Sequence, residues 1–352
     1  MAYSLILKRD FENLYNNYNF TELKNSNIFI TGANGLVGKN IVLFLDFLNT
    51  FHDYKIKIFA LVRNEIKANE IKEQLDSFKN ICFVFGDVRN CSLENNLDYI
   101  VHCASITSSK LFVEKPVETI DIAVNGTMNI LNIAKEKNIK SMVYLSSMEV
   151  FGVTDQTLQN VKEQDLGYID ILNPRSSYSE GKRICETLCA SYSVEYDIPV
   201  KIARLAQTFG PGINYKDSRV CAMFARSVIE NKDIVLKTKG KTKRPLVYTS
   251  DATSGIITLL LKGRKGESYT IADENTFMSV REIAEMIISK IAHDKIKLLF
   301  DFSDNAIYPP DFNLNLCTEK LRTLEWMPSV GIEEGFENMI TYMKETRDIV
   351  YE

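Results

Sequence analysis

The sequence predicts an α/β protein: a doubly wound parallel sheet with a smaller mixed α/β lobe toward the C-terminus. Three observations predict it. Apolar β-type runs alternate with helix-period segments, a glycine-rich turn joins the first such strand to the first long helix, and the rhythm breaks after "FGPG". Strands that read as nearly continuous apolar runs are buried on both faces, which is the environment of a parallel sheet covered by helices.

Taken in order, residues 1–26 form a polar, helical leader, and "NIFITGANGLVGKNIVLFLDFL" then runs from a strand through glycines into an amphipathic helix. Further strands are expected at "KIKIFALV", "ICFVFGD", "DYIVHCAS", "SMVYLSS" and "PVKIARL", with helices at "NEIKANEIKEQL" and "VETIDIAVNGTMNILNIAKEK" between them. These place a dinucleotide-type domain at 27–208. Residues 209–352 hold helices at "RVCAMFARSVIE", "SVREIAEMIISKI" and "GIEEGFENMITYMKE" with short strand-like pieces between, a lobe expected over the carboxyl edge of the sheet, where ligands of such folds bind.

The 352 residues are 45% hydrophobic and 25% charged, enough for a full core, and the formal net charge of -4 with dispersed Lys and Arg argues against nucleic acid as partner. Seven cysteines without a CxxC pair predict packing thiols in a reducing compartment, neither a metal site nor a disulfide framework. No stretch is apolar for long enough to span a bilayer, and the N-terminus lacks the pattern of a secretion signal, so a cytoplasmic protein is expected.

"TGANGLVG" spaces Gly32, Gly35 and Gly38 by three, after a strand and at the start of a helix. Small residues there allow a tight turn, close approach of a pyrophosphate and close packing of helix on strand, and the helix N-terminus offers free N–H groups. Gly32, Asn34, Gly35, Leu36, Val37 and Gly38 are therefore candidate cofactor contacts. At the end of the second strand, "FALVRN" carries Arg63 where an acid would grip the ribose of NAD, so NADP(H) is the preferred cofactor, with NAD(H) also compatible. Asp87, with Val88, is placed to reach the adenine, or caps its strand end.

"RSSYSEGKR" sets Tyr178 and Lys182 four apart, on one face if the stretch is helical. With "HCAS" (Ala104 and Ser105), Asn125 in "VNGT", "LSSMEVFG", "YSEGK" and "RLAQTFGPG", the chain after its leader resembles the extended short-chain dehydrogenase/reductase superfamily, the NAD(P)-dependent nucleotide-sugar epimerases, dehydratases and decarboxylases. The resemblance implies a Rossmann-type domain in which Tyr178 exchanges a proton with the sugar, Lys182 lowers its pKa and holds the nicotinamide ribose, and Ser147 orients the reacting oxygen. It places Ala104 at the cofactor, and Ser105, Met148 and Gln207 at the substrate. Asn125 is a brace or a packing residue.

Glu149 is a candidate base or substrate contact. The 4,6-dehydratases have an aspartic acid where this chain has Met148, which cannot donate a proton, and uronate decarboxylases have a small polar residue there. Gln207 replaces a usual asparagine, and "IYPPDFNLNLCTEKL" lacks an arginine that dehydratase relatives carry. Arg219 in "KDSRV" and Arg244 in "KTKRPLVY" are candidates for the substrate diphosphate.

The expectation is an NADP(H)-dependent oxidoreductase acting on the sugar of a nucleotide-activated sugar, CDP being the first guess, in surface-polysaccharide precursor synthesis. The alternatives are a 4-epimerase or decarboxylase that retains its cofactor, and a non-catalytic redox sensor, against which the intact Ser147, Tyr178 and Lys182 set argues. A homodimer through the helix bearing Tyr178 and Lys182 is expected from the resemblance, and no metal.

Overall fold

The computed structural model describes residues 4–75, 79–302 and 311–346. Its centre is a seven-stranded parallel sheet formed by β1 (Asn27–Thr31), β2 (Lys57–Val62), β3 (Ile81–Phe85), β4 (Tyr99–His102), β5 (Ser141–Ser147), β6 (Val200–Leu205) and a seventh strand from the later chain. The first six are the strands expected from the apolar runs. Every residue of β4 and β6 is buried, as two covered faces require.

Between β6 and the last third of the chain come the short β7 (Gln207–Phe209), β8 (Ile234–Leu236) and β9 (Lys243–Tyr248); β10 (Ser268–Ile271) then returns to the main sheet. It pairs in parallel with β6, Ser268 opposite Ile202 and Ile271 opposite Leu205. Where the apolar runs ended the sheet at "PVKIARL", the structure thus adds a strand from beyond residue 209. The pattern missed it because four residues between polar loops carry no strong period. Strands β11 (Asp273–Ser279), β9 and β7 make a second, three-stranded sheet, and β12 (Leu298–Phe300) pairs with β8.

The strand order is β3-β2-β1-β4-β5-β6-β10, so the winding reverses between β1 and β4. A crevice opens at such a reversal beyond the carboxyl ends of the strands, and the ends of β1 and β4 are the glycine turn and "HCAS". Helices α2 (Leu36–His52), α3 (Glu65–Lys72), α4 (Ser109–Glu114), α5 (Pro116–Lys137), α6 (Ser177–Glu195), α7 (Val220–Glu230) and α8 (Thr249–Lys262) follow in chain order. Helix α1 (Leu5–Asn17) precedes them in the leader.

Helix α1 is amphipathic, which its polar look concealed. Leu7, Phe11 and Leu14 fall on one face and are buried, Phe11 lying 5.5 Å from the Phe44 ring and 5.7 Å from Phe47 of α2. Each such side chain stabilises by about 1.5–3 kcal/mol. The leader is part of the main core, not an appendage.

Candidate active site

Thr31 ends β1, and Gly32 follows with φ +62°, a left-handed conformation that favours glycine. A Cβ on Gly32 would lie 2.8 Å from the backbone of Ala104, and one on Gly38 would lie 2.3 Å from the carbonyl of Gly32. The glycines therefore let β1, α2 and the end of β4 close on one another, leaving the exposed Gly35 at the N-terminus of α2. Ala104 N donates to Thr31 Oγ1 at 3.1 Å, and Thr31 Oγ1 and Thr127 flank the two ring nitrogens of His102. Burial pushes His102 down to about 3, so it stays neutral and serves as a brace beneath the turn. This cradle fits a dinucleotide: its backbone is open to phosphate where any side chain would obstruct it.

Of the other cofactor candidates, Asn34, Leu36 and Val37 are half-buried along the turn and Arg63 is exposed at the end of β2. Val88 is buried. Asp87 is gripped by Arg89 through Nε and Nη2 at 2.8 and 2.7 Å, and these bonds hold its carboxyl below the usual range. Arg89 also reaches Asp121, to which the exposed Asn125 donates. Asn125 thus belongs to a chain of surface polar groups.

At the end of β5, Ser147 Oγ caps the following turn by accepting from Glu149 N at 3.2 Å, and it shares a hydrogen bond with Tyr178. Ser146, one residue earlier, points the other way and donates to Glu186 at 2.6 Å. A short turn at Pro174–Ser176 leads into α6, whose first turn carries Tyr178 and whose second carries Lys182. Lys182 is buried, donates to the Leu145 carbonyl at 2.6 Å and lies 5.8 Å from the Tyr178 ring centroid. The Tyr178 ring is stacked on Phe112 of α4, centroids 4.3 Å apart.

Burial pushes Tyr178 up to about 12, against the downward pull of its Ser147 bond; Glu149 adds to the rise and Arg219 opposes it. Lys182 is not among the groups that set this shift. Its ammonium is turned to a carbonyl, and burial lowers its own pKa as well.

Glu149 is held by Arg175, whose Nη1 and Nη2 each donate to one carboxylate oxygen at 3.1 Å, and by Ser179 Oγ at 3.2 Å. Arg175 was not singled out in the sequence, although it lies in the quoted stretch three residues before Tyr178; its partner is 26 positions away and no local spacing reveals it. Met148 is buried in the main core. Gln207 Oε1 accepts from Arg244 Nη2 at 2.6 Å, and Arg219 is paired with Asp217, Nη2 to Oδ2 at 2.7 Å. The fields of Glu149 and Arg175 reach Arg244, and those of Glu149 and Arg219 reach Tyr178, so these groups converge on one site. Ser105, half-buried, donates to the Ile106 carbonyl. Of "IYPPDFNLNLCTEKL", residues 307–310 lie outside the described residues.

A glycine cradle at the sheet reversal beside a Ser, Tyr and Lys set suits a dinucleotide-dependent enzyme. Residues 28–272 match the NAD dependent epimerase/dehydratase family, and the chain belongs to it. It is 26% identical over 342 residues to UDP-glucuronic acid decarboxylase 1 of Xenopus tropicalis, covering 96% of this chain and 77% of that protein. It is 30% identical over 244 residues to UDP-glucuronic acid decarboxylase 6 of Arabidopsis thaliana, covering 69% of this chain and 68% of that one. A UDP-N-acetylglucosamine 4-epimerase from Methanobrevibacter ruminantium M1, in complex with UDP-N-acetylmuramic acid, shares the fold with a TM-score of 0.78 at 20% identity, covering 92% of this chain and 99% of that one. No helix among the described residues is long and apolar enough to cross a membrane.

Proposed function

We propose that this enzyme carries out net hydride transfer, with NADP(H) preferred, between the cofactor and a carbinol or carbonyl carbon on the sugar of a nucleotide-activated sugar. The observation that carries the reading is the Arg175–Glu149 pair beside Tyr178. A 4,6-elimination needs an acid to protonate the departing hydroxyl; Met148 is apolar and both oxygens of Glu149 accept from Arg175, so no carboxylic acid is placed to supply that proton.

The bound nicotinamide supplies the hydride acceptor or donor. Tyr178 then exchanges the proton at the sugar oxygen, Ser147 orients that oxygen by hydrogen bonding, and Lys182 holds the ribose and the α6–β5 geometry. Arg219 and Arg244 suit the diphosphate oxygens, with Gln207 fixing the Arg244 fork and Ser105 beside the sugar. Arg63, in the place of a ribose-binding acid, supports NADP(H) over NAD(H). CDP remains the first candidate nucleotide, within polysaccharide precursor synthesis in the cytoplasm. Val117, Ile120 and Met128 of α5 and Ile184 of α6 leave an apolar stripe exposed, which supports a homodimer through these helices.

A second reading is favoured by Arg175 itself. A third guanidinium near Tyr178 suits a substrate carboxylate, and the relatives named above are uronate decarboxylases. Oxidation beside a carboxylate followed by loss of CO2 needs no dehydratase acid, and the hydride returns to the product.

Purified protein is incubated with NADPH or NADH, and in parallel with NADP+ or NAD+, and a panel of CDP-, UDP-, dTDP- and GDP-linked sugars, keto-sugars and uronates. Stoichiometric nicotinamide consumption with one substrate supports net reduction. CO2 release from a uronate with no net consumption overturns it in favour of the second reading. In either case Tyr178→Phe is expected to lose turnover by about 10²–10⁴-fold while still binding cofactor; a Phe variant with unchanged rate rejects the assigned role.

A further inference from the structure

Lys39 is the residue immediately after Gly38, in the first turn of α2, and it is only 8% exposed. Among the described residues no hydrogen bond or ion pair holds its ammonium. The charges that reach it are on α3: Glu70, which attracts it, and Lys67, which repels it. Glu70 is already taken, bonded to Lys67. Burial, the dominant influence, pushes Lys39 down to about 8.

A buried ammonium without a partner is costly, and packing α2 against α3 alone would be served better by an apolar side chain. The position of Lys39 indicates what the cation is kept for. Helical side chains lean toward the N-terminus of their helix, so its four-carbon stem runs back toward the Gly32–Gly35 turn. The helix whose charges reach it, α3, follows directly on the end of β2, where Arg63 is exposed and Asn64 caps α3 by accepting from Lys67 N. A dinucleotide whose pyrophosphate rests on the turn has its adenosine ribose over this end of β2.

We propose that Lys39 and Arg63 together form the site for the 2′-phosphate of an NADP-type cofactor, which makes Lys39 a cofactor-specificity residue. The inference rests on the NADP(H) reading above. Arg63 approaches the phosphate from solvent and Lys39 from beneath, from a position that strand-end patterns do not inspect. A phosphate dianion supplies the counter-charge that Glu70, engaged by Lys67, does not.

NADPH and NADH binding to wild type, Lys39→Met and Lys39→Arg are measured by titrating the fluorescence of the reduced nicotinamide. Expected are tighter NADPH binding by wild type, a loss of about ten- to a hundredfold in NADPH affinity for the Met variant with NADH affinity kept within about twofold, and retained preference in the Arg variant. A Met variant that matches wild type, or that weakens both nucleotides equally, overturns the role of Lys39 while a wild-type preference for NADPH leaves the cofactor reading standing. Wild type that binds NADH more tightly overturns the cofactor reading itself, and this inference with it.

Discussion

Arg175 grips both carboxylate oxygens of Glu149 at 3.1 Å, one residue turn before the helix that carries Tyr178. The pair ties the end of β5 to the start of α6, so it positions the proton-exchanging tyrosine relative to Ser147. Arg175→Ala frees one guanidinium's worth of charge-assisted bonding, about 1.5–3 kcal/mol. The expected result is a ten- to hundredfold fall in kcat, by the usual conversion of about 1.4 kcal/mol per decade, with cofactor affinity unchanged. Steady-state kinetics beside a nucleotide titration check it; an equal loss in both would place Arg175 in cofactor binding instead.

Phe112 lies flat against Tyr178, interplanar angle 8°, and Ser177 Oγ donates to the Phe112 carbonyl at 3.0 Å. Helix α4 therefore holds the phenol ring in its plane. Phe112→Leu keeps an apolar side chain but removes the flat surface, and is expected to lower kcat several-fold while the melting temperature moves by only a few degrees. Kinetics that match wild type would show that α6 alone sets the ring.

Glu186, two turns along α6 from Tyr178, receives Ser146 Oγ and three bonds from Arg204, Nη2 at 2.7 Å, with both charged side chains buried. Removing one partner of a buried pair leaves the other charge uncompensated, at about 3–5 kcal/mol. Glu186→Gln should lower unfolding stability by that order in urea denaturation, with the slope of the transition unchanged. A loss below about 1 kcal/mol would mean that water solvates Arg204.

Asp10 of α1 is buried, accepts from the Tyr248 hydroxyl at 2.7 Å and is pushed by burial up to about 6, from an ordinary 3.8. The folded chain thus holds this proton more tightly than the unfolded one. The stabilisation is fully present below pH 3.8 and is lost as pH rises through about 6. Asp10→Asn removes the proton's contribution, so relative to wild type the variant should gain about 3 kcal/mol between those limits, at 1.36 kcal/mol per pKa unit. Thermal melts at pH 4.5 and 7 test the sign: a difference between the two proteins that does not change with pH would reject the raised value.

The sequence by itself determined the six apolar strands, the glycine turn and the placement of Tyr178 above Lys182. Each is written in neighbours along the chain: a nearly continuous apolar run in the strand, a 3.6-residue repeat in the helix, three glycines in one turn. Only the tertiary structure decided the rest. The strand Ser268–Ile271 joined the sheet through a partner more than sixty positions away. Glu149 became anchored because Arg175 closes on it across the site, and the tyrosine pKa rose because burial outweighs its Ser147 hydrogen bond. Partners across a fold and the dielectric around a charge are set by every element packed nearby, and no spacing within one segment encodes them.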